Sequence, residues 1–224
     1  FTETQIIITG TSHADTILVD GDKGNANLYI ELDGNRTHFV GAVGRDDTII
    51  VNAGGANDRI ENFSDIPVIL NGGAGNDTLI GGSGADTFIG GPGNDTADYS
   101  SRSANLNISL DNVANDGSLG EKDNVMADVE TILGGSGNDK ILGNPFANLL
   151  VGNGGNDILY GGKGNDTLNG GTGHDQLFGQ DDNDILLAKD GQVDSLDGGA
   201  DSDTAQRDNT AAVKDQVLNI ETSI

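Results

Sequence analysis

The chain has 224 residues and a formal net charge of −25, because 36 acidic residues outnumber 11 basic ones. This balance argues against nucleic acid as a partner, since proteins that bind nucleic acid present basic surfaces. The chain holds no cysteine, which excludes disulfide bonds and thiolate chemistry. It has no run of about eighteen apolar residues, so we expect no transmembrane helix.

The sequence of residues 1–71 predicts degenerate copies of a short repeat, which becomes regular further along the chain. HADTILVDG has the order of such a copy, with Asp15 at its acidic position and Ile17 at its apolar position. Between residues 27 and 40, apolar and polar residues alternate on both sides of Asp-Gly-Asn, which is the pattern of a β-hairpin. We therefore predict degenerate coils with an inserted hairpin over 27–40.

Residues 72–98 repeat strictly in rows of nine, GGAGNDTLI, GGSGADTFI and GGPGNDTAD. A fixed period predicts a solenoid of stacked, similar units. Gly, Asn and Asp dominate the first six positions and favour turns, whereas the last three positions favour extended backbone with one side chain inward. A turn and a three-residue strand form half a coil, so two rows form one coil of eighteen residues.

Residues 99–133 interrupt the rows. Leu106, Ile108 and Leu110 alternate with polar residues, as in a strand, and the following DNVANDGSLGEKD is loop-like. VMADVETIL then leads back to the repeat, with Ile132 at the apolar position. This segment predicts a long loop excursion between two runs of one roll, or a separation between two short rolls.

Residues 134–206 hold the main repeat block. It reads GGSGNDKIL, GNPFANLLV, GNGGNDILY, GGKGNDTLN, GGTGHDQLF and GQDDNDILL, and the frame slips by one residue after Leu187. Gly, Asp (once Asn) and Leu or Ile recur in three columns. Residues 207–224 lose the glycines and end in VLNIETSI, which predicts a last strand that caps the stack.

The two-row coil places each unit beside the unit two places further along. Aspartates at position six then stack at about one strand spacing, roughly 4.8 Å. Like charges at this distance repel each other unless a cation lies between them. Carboxylate and carbonyl oxygens are the ligands of Ca²⁺, which accepts six to eight oxygens in loose geometry, so the pattern predicts several calcium ions.

These rows resemble the RTX, or haemolysin-type, calcium-binding nonapeptide repeat, G-G-x-G-x-D-x-U-x, in which U is a large apolar residue. The resemblance implies an all-β fold, a right-handed parallel β-roll. It implies that each ion takes the Asp and the carbonyls of positions two and four from one unit. From the unit two places on, the ion takes the Asp and the carbonyls of positions one and three. Bacterial type I secretion and an extracellular, secreted or cell-surface location are further implications.

Carried over to this chain, the resemblance implies four sites. They are formed by Gly73, Gly75 and Asp77 with Gly90, Pro92 and Asp95; by Gly135, Gly137 and Asp139 with Gly152, Gly154 and Asp157; by Asn153, Gly155 and Asp157 with Gly170, Thr172 and Asp175; and by Gly162, Gly164 and Asp166 with Gly179, Asp181 and Asp184. Asp86 stands in the same metal column, and a bulge would allow a further site at Asp58 and Asp77. Asn148 replaces Asp in one unit, so an ion shared with Asp166 would lose a charged ligand.

The sequence predicts no catalytic residue and no cofactor besides Ca²⁺. It predicts an extracellular calcium-binding β-roll module that folds on binding Ca²⁺. This module would be a structural, secretion-linked and non-enzymatic part of a larger secreted or surface protein. Two alternatives remain. One is an adhesin or carbohydrate-binding module, with cell-surface glycans or polysaccharide as partners, and the other is the non-catalytic tail of a secreted enzyme.

Overall fold

The computed structural model describes residues 5–21, 27–32, 35–40, 48–208 and 214–223. These residues form β-strands and no helix. In chain order the strands are β1 (Gln5–Thr9), β2 (Thr16–Gly21), β3 (Asn27–Leu32), β4 (Asn35–Val40), β5 (Thr48–Gly55), β6 (Arg59–Asn62), β7 (Val68–Ala74), β8 (Thr78–Ile80), β9 (Thr87–Ile89), β10 (Thr96–Asp98), β11 (Leu106–Ser109), β12 (Gly117–Ser118), β13 (Asn124–Val125), β14 (Thr131–Leu133), β15 (Lys140–Leu142), β16 (Leu149–Val151), β17 (Ile158–Gly162), β18 (Thr167–Asn169), β19 (Gln176–Gln180), β20 (Ile185–Ala188), β21 (Ser195–Gly199), β22 (Thr204–Arg207), β23 (Gln216–Leu218) and β24 (Thr222–Ser223).

Two compact units make up the chain. The first unit comprises Phe1–Asp98, Asn112–Asp116 and Gly120–Val129, and the second comprises Tyr99–Asp111, Gly117–Leu119 and Glu130–Ile224. Each unit is a β-solenoid built from parallel sheets. The sequence prediction of an all-β parallel roll is therefore confirmed for each unit.

In the first unit, successive strands alternate between two sheets. One sheet has the order β1-β5-β7-β9-β13, and the other has the order β10-β8-β6-β2-β3-β4. The pairs are parallel except at the end of the second sheet, where β2, β3 and β4 run antiparallel to one another. The register from Asn27↔Val40 to Leu32↔Asn35 confirms the predicted hairpin.

The second unit is also built from two sheets, ordered β12-β11-β15-β17-β19-β21-β23 and β14-β16-β18-β20-β22-β24. Its pairs are parallel except for β11 with β12, which is antiparallel. Lys140 pairs with Ile158, and Ile158 pairs with Gln176, so neighbouring rungs of this sheet are separated by two nine-residue rows. Each row contributes one turn and one strand. This register places the turn of every row beside the turn two rows further on.

The core of each unit is one side chain wide. The central residue of a three-residue strand points inward, because alternate side chains point to opposite faces of a sheet. Leu150, Leu159, Leu168, Leu177 and Leu186 all have 0% exposure. On the outer face of the sheet that contains β17 and β19, the rings of Tyr160 and Phe178 stack with centroids 4.9 Å apart.

The 99–133 segment takes part in both units. β11 pairs in parallel with β15 in the second unit, and β13 pairs in parallel with β9 in the first. Ile108 and Val125 fill the apolar columns and have 0% exposure. The strand predicted in NLNISL is therefore present as β11, and β13 adds a further rung directly after the loop-like stretch.

The end of the repeat block regains register after the frame slip. Gln176 pairs with Ser195 and Ile185 with Thr204, one residue more than in a regular coil. The longer turns absorb the extra residue, and Gly191 within one of them has a φ of 95°. The predicted cap segment, 207–224, contains β23 and β24, whereas its residues 209–213 and 224 lie outside the described part of the chain.

Candidate metal centre

The aspartates at repeat position six are buried, although their side chains carry a charge in water at neutral pH. None of those in the regular rows is more than 3% exposed; they are Asp58, Asp77, Asp86, Asp95, Asp139, Asp157, Asp166, Asp175 and Asp184. An ionised carboxylate that leaves water needs hydrogen bonds and a compensating charge. These side chains are thus the first place to look for a cation.

Hydrogen bonds join the aspartates into ladders along each unit. The backbone amide of Asp139 donates to Oδ1 of Asp157 at 2.7 Å, and that of Asp157 donates to Oδ1 of Asp175 at 2.8 Å. Asp166 donates to Asp184 in the same way, at 2.8 Å, and so does Asp77 to Asp95. The structure therefore brings together the carboxylates that the sequence analysis paired.

The second carboxylate oxygen is different. In most rows Oδ2 is buried and accepts no hydrogen bond from the described part of the chain; the rows concerned include those of Asp77, Asp157, Asp166, Asp175 and Asp184. Buried polar atoms nearly always have a partner, so a whole row of anionic oxygens without one needs an explanation. A bound cation supplies it, because each such oxygen is then a ligand.

Backbone carbonyls face the same interval between the turns of Asp157 and Asp175. The carbonyl of Asn153 accepts from the amide of Thr172 at 2.8 Å, and the carbonyl of Thr172 accepts from Gly155 at 3.0 Å. A β-carbon added to Gly173 would collide with the carbonyl oxygen of Gly155, so that oxygen also points toward the next turn. Oxygen atoms from both turns line this gap, and oxygen atoms are the ligands that a calcium site requires.

The pair Asp77 and Asp95 repeats this arrangement in the first unit. The carbonyls of Gly90 and Pro92 accept from the amides of Gly73 and Gly75, both at 3.0 Å. The carbonyl oxygens of Gly73 and Gly75 point forward, where β-carbons on Gly91 and Gly93 would collide with them. The carbonyl at position three is the one that Pro92 supplies, and the missing N–H of proline leaves it intact.

The two remaining predicted pairs lie in the second unit. In the turns of Asp139 and Asp157, the carbonyl of Gly135 accepts from Gly154 at 3.2 Å, and that of Gly137 faces Gly155. In the turns of Asp166 and Asp184, the carbonyl of Gly162 accepts from Asp181 at 3.0 Å, and that of Gly179 faces Gly161. Here the amide of Gly164 donates to the carboxylate of Asp182 at 2.9 Å.

Burial changes the acidity of these groups. It raises the pKa of Asp157, Asp166 and Asp194 to about 7, and that of Asp86 and Asp184 to about 6. Neighbouring carboxylates raise the pKa further: for Asp157 these are Asp139 and Asp175. Desolvation and like charge together show that the ladder is electrostatically unfavourable when it is ionised and holds no cation.

The row with Asn148 is satisfied without a cation. Its side-chain oxygen accepts from the amide of Asn144 at 2.9 Å, and its side-chain nitrogen donates to the carbonyl of Glu130. The amide side chain thus uses the hydrogen-bonding positions that, in the row of Asp166, leave Oδ2 without a partner among the described residues. That the Asn148 row is a poorer calcium ligand stays a prediction.

The ladders extend beyond the aspartates that the sequence analysis assigned. Asp175 donates to Oδ1 of Asp194 and Asp184 donates to Oδ1 of Asp203, each at 2.8 Å. Because of the one-residue slip after Leu187, the sequence alone left open whether Asp194 and Asp203 regain the register of the repeat. In the first unit Asp86 donates to Oδ1 of Asp123, also at 2.8 Å, and no repeat signal marks that residue.

Within the described ranges, no group of three or more His, Cys, Asp or Glu side chains lies close enough to hold a metal. The sites implied here use two aspartates each, and backbone carbonyls supply the other ligands. The described residues also include no helix that could span a membrane.

The family model of the RTX calcium-binding nonapeptide repeat matches the chain four times, at residues 69–97, 127–145, 133–168 and 160–192. Residues 69–97 and 127–192 are therefore RTX calcium-binding repeats by sequence. Repeats of this family bind Ca²⁺ at multiple sites, and the matched RTX residues include all four predicted pairs of aspartates. A search of curated proteins found no match.

Proposed function

We propose that this chain is an extracellular calcium-binding module that folds when it binds Ca²⁺. The observation that carries the proposal is the row of buried aspartates whose Oδ2 atoms have no hydrogen-bond partner among the described residues, as at Asp157, Asp166 and Asp175. A second set of possible calcium ligands, the backbone carbonyl oxygens of the turns, faces the same gaps between stacked turns. Calcium supplies the positive charge that joins two anionic turns.

The chain's own residues explain why folding would depend on the ion. Each strand buries about one large side chain, such as Leu168 or Leu177, and this thin core has to offset the entropy of ordering a glycine-rich backbone. The net charge of −25 adds repulsion. Because the sites form only when coils stack, the free energy of calcium binding contributes directly to folding.

The calcium concentration determines in which compartment the module would fold. Extracellular calcium modules bind at about 10⁻⁴–10⁻³ M, which the cytosol does not reach. A chain of this composition would remain disordered before export and fold outside the cell. We propose that it does so as a structural, non-catalytic part of a larger secreted or surface protein, exported by type I secretion. Glycan partners stay a prediction.

A calcium titration tests the proposal. We expect the chain in EDTA to be expanded and poor in β-structure, and to become compact and β-rich between about 0.1 and 10 mM Ca²⁺. Circular dichroism and small-angle X-ray scattering measure the two properties on the same samples. Mg²⁺ at equal concentration serves as the control, because it favours smaller, rigid octahedral sites. Equal compactness and β-content in EDTA and in calcium would refute coupled folding.

A further inference from the structure

The six-residue repeat turns fall into two classes, which differ in what the aspartate's own turn does; the longer turn before Asp194 belongs to neither class. In four turns the backbone amide of the second residue donates to the side chain at position six. The pairs are Thr11 with Asp15, Gly82 with Asp86, Gly135 with Asp139, and Asn144 with Asn148, at 2.5, 2.7, 2.7 and 2.9 Å. We name these closed turns, because the turn satisfies its own side chain.

In the other class, which we name open turns, the second residue has a left-handed φ. The values are 101° at Gly73, 71° at Asn153, 118° at Gly162, 98° at Gly171, 86° at Gln180 and 105° at Gly199. These six turns contain Asp77, Asp157, Asp166, Asp175, Asp184 and Asp203, whose Oδ2 atoms are buried without a hydrogen-bond partner in the described part of the chain. No second residue of a closed turn has a φ in this region.

A rotation about φ explains the difference between the classes. The sign of φ at residue two sets the direction of its N–H group relative to the rest of the turn. With a left-handed φ the N–H group leaves the aspartate of its own turn; that of Gly73 donates instead to the carbonyl of Gly90 in the next coil, at 3.0 Å. The carboxylate of an open turn therefore keeps one oxygen available, and that of a closed turn does not.

We propose that the backbone conformation of residue two decides which turns offer a carboxylate oxygen to calcium. This inference rests on the proposed calcium-binding function and ranks its sites. Pairs of two open turns, such as Asp157 with Asp175, Asp166 with Asp184, and Asp184 with Asp203, form the stronger sites. The pair Asp139 with Asp157 includes a closed turn and is weaker.

Gln180 makes the proposal testable, because it is one of two non-glycine residues among the second residues of the six open turns named above. Its side chain is exposed, and only its carbonyl oxygen faces the next turn, where a β-carbon on Gly199 would collide with it. Substitution at Gln180 therefore changes the preferred φ without removing any of the oxygen atoms that could bind calcium. L-residues, and β-branched residues above all, disfavour a left-handed φ.

The experiment compares Gln180→Val and Gln180→Gly with the same substitutions at Gln176. Gln176 lies at the other end of β19, is equally exposed and is in extended backbone. Native mass spectrometry counts the ions bound per chain at saturating calcium. Circular dichroism gives the calcium concentration at half-folding.

We expect Gln180→Val to bind at least one ion fewer than the unmodified chain while it stays folded, because the turn closes on Asp184. Gln176→Val should keep the full count. Gln180→Gly should keep the full count and lower the half-folding concentration roughly three- to tenfold, the range expected from removing a left-handed L-residue. Gln176→Gly should raise that concentration, because glycine weakens a strand.

A full ion count in Gln180→Val overturns the proposal, whether its half-folding concentration rises or not, because the φ of residue 180 would then affect stability alone. If Gln180→Val stays unfolded, Gln180→Gly decides: an unchanged or higher half-folding concentration overturns the proposal. Absence of any calcium-dependent transition in the unmodified chain is a different result, which refutes the proposed function itself.

Discussion

The carboxylate of Asp157 contacts the coil before it and faces the coil after it. Its Oδ1 accepts from the amide of Asp139, its own amide donates to Asp175, and its Oδ2 is buried without a partner among the described residues. Burial is the largest cause of the rise in its pKa to about 7. One side chain thus links proton binding to the stacking of three coils and, under the proposed function, to calcium binding as well.

The acidity of the ladder predicts opposite pH dependences with and without metal. In the metal-free fold Asp157, Asp166 and Asp194 have a pKa of about 7, against 3.8 for an unperturbed Asp. The protonated form is favoured by folding, so this contribution to stability is complete below about pH 4 and is lost as the pH rises through about 7. We expect the β-content of the chain in EDTA, measured by circular dichroism, to be higher at pH 5 than at pH 8.

Calcium has the reverse requirement, because its ligands must be ionised. The calcium concentration at half-folding should therefore rise as the pH falls from 8 to 6. A β-content in EDTA that is as high at pH 8 as at pH 5 would contradict the assignment of these raised pKa values to the carboxylate ladder.

At the scale of the element, the first residue of a repeat turn has no room for a side chain. A β-carbon on Gly152 would collide with Oδ2 of Asp157 and would also meet the carbonyl oxygen of Gly170. At the third position of the same turn, a β-carbon on Gly154 would meet only Oγ1 of Thr172, at 3.3 Å, and the Cα of Ser136, at 4.0 Å. The repeat therefore needs glycine at position one for packing, whereas position three accepts side chains.

Gly152→Ala should destabilise the calcium-bound fold by about 1–3 kcal/mol, the range found when a packed site is overfilled. It should also weaken calcium binding, because the methyl group displaces the carboxylate oxygen that faces the interval. Gly154→Ala, in the same turn, is the matched control and should have an effect below about 1 kcal/mol. Urea unfolding at saturating calcium measures both, and equal losses would show that the crowding at Gly152 is not selective.

The nine-residue period of the sequence predicts most of the strands. Some strands and one ladder residue could not be predicted from it. Nine-residue rows define the strands and place Leu159 and Leu168 in the core, because an inward residue recurs once per strand. The rungs β11 and β13 have no such rows. Asp123 joins the ladder through tertiary placement alone, by accepting from the amide of Asp86 at 2.8 Å.

The class of each turn lies beyond what the sequence can specify. Gly135 lies in a closed turn and Gly162 in an open one, yet both are glycine at position two of nearly identical rows. Glycine accepts either sign of φ, so its identity does not determine the direction of its N–H group. The neighbouring coil has to select the conformation, and that information is in the stacked structure.

At the scale of the whole molecule, the charge and the core together explain why a cation is needed. Thirty-six acidic residues stand against eleven basic ones, and the buried aspartates are stacked along each unit. The apolar core is one side chain wide, so it offers limited compensation for this repulsion. Under the proposed function, calcium ions between successive turns would join the rungs and neutralise them, and the folded state would be conditional on calcium.

The most direct test is a crystal structure of the chain grown in calcium, with anomalous diffraction data collected to locate the ions. The account predicts an anomalous peak between the turns of Asp157 and Asp175, coordinated by both carboxylates and by carbonyls of the two turns. It predicts equivalent peaks at Asp166 with Asp184 and at Asp77 with Asp95. Stacked turns with no peak between Asp157 and Asp175 at saturating calcium would contradict the account.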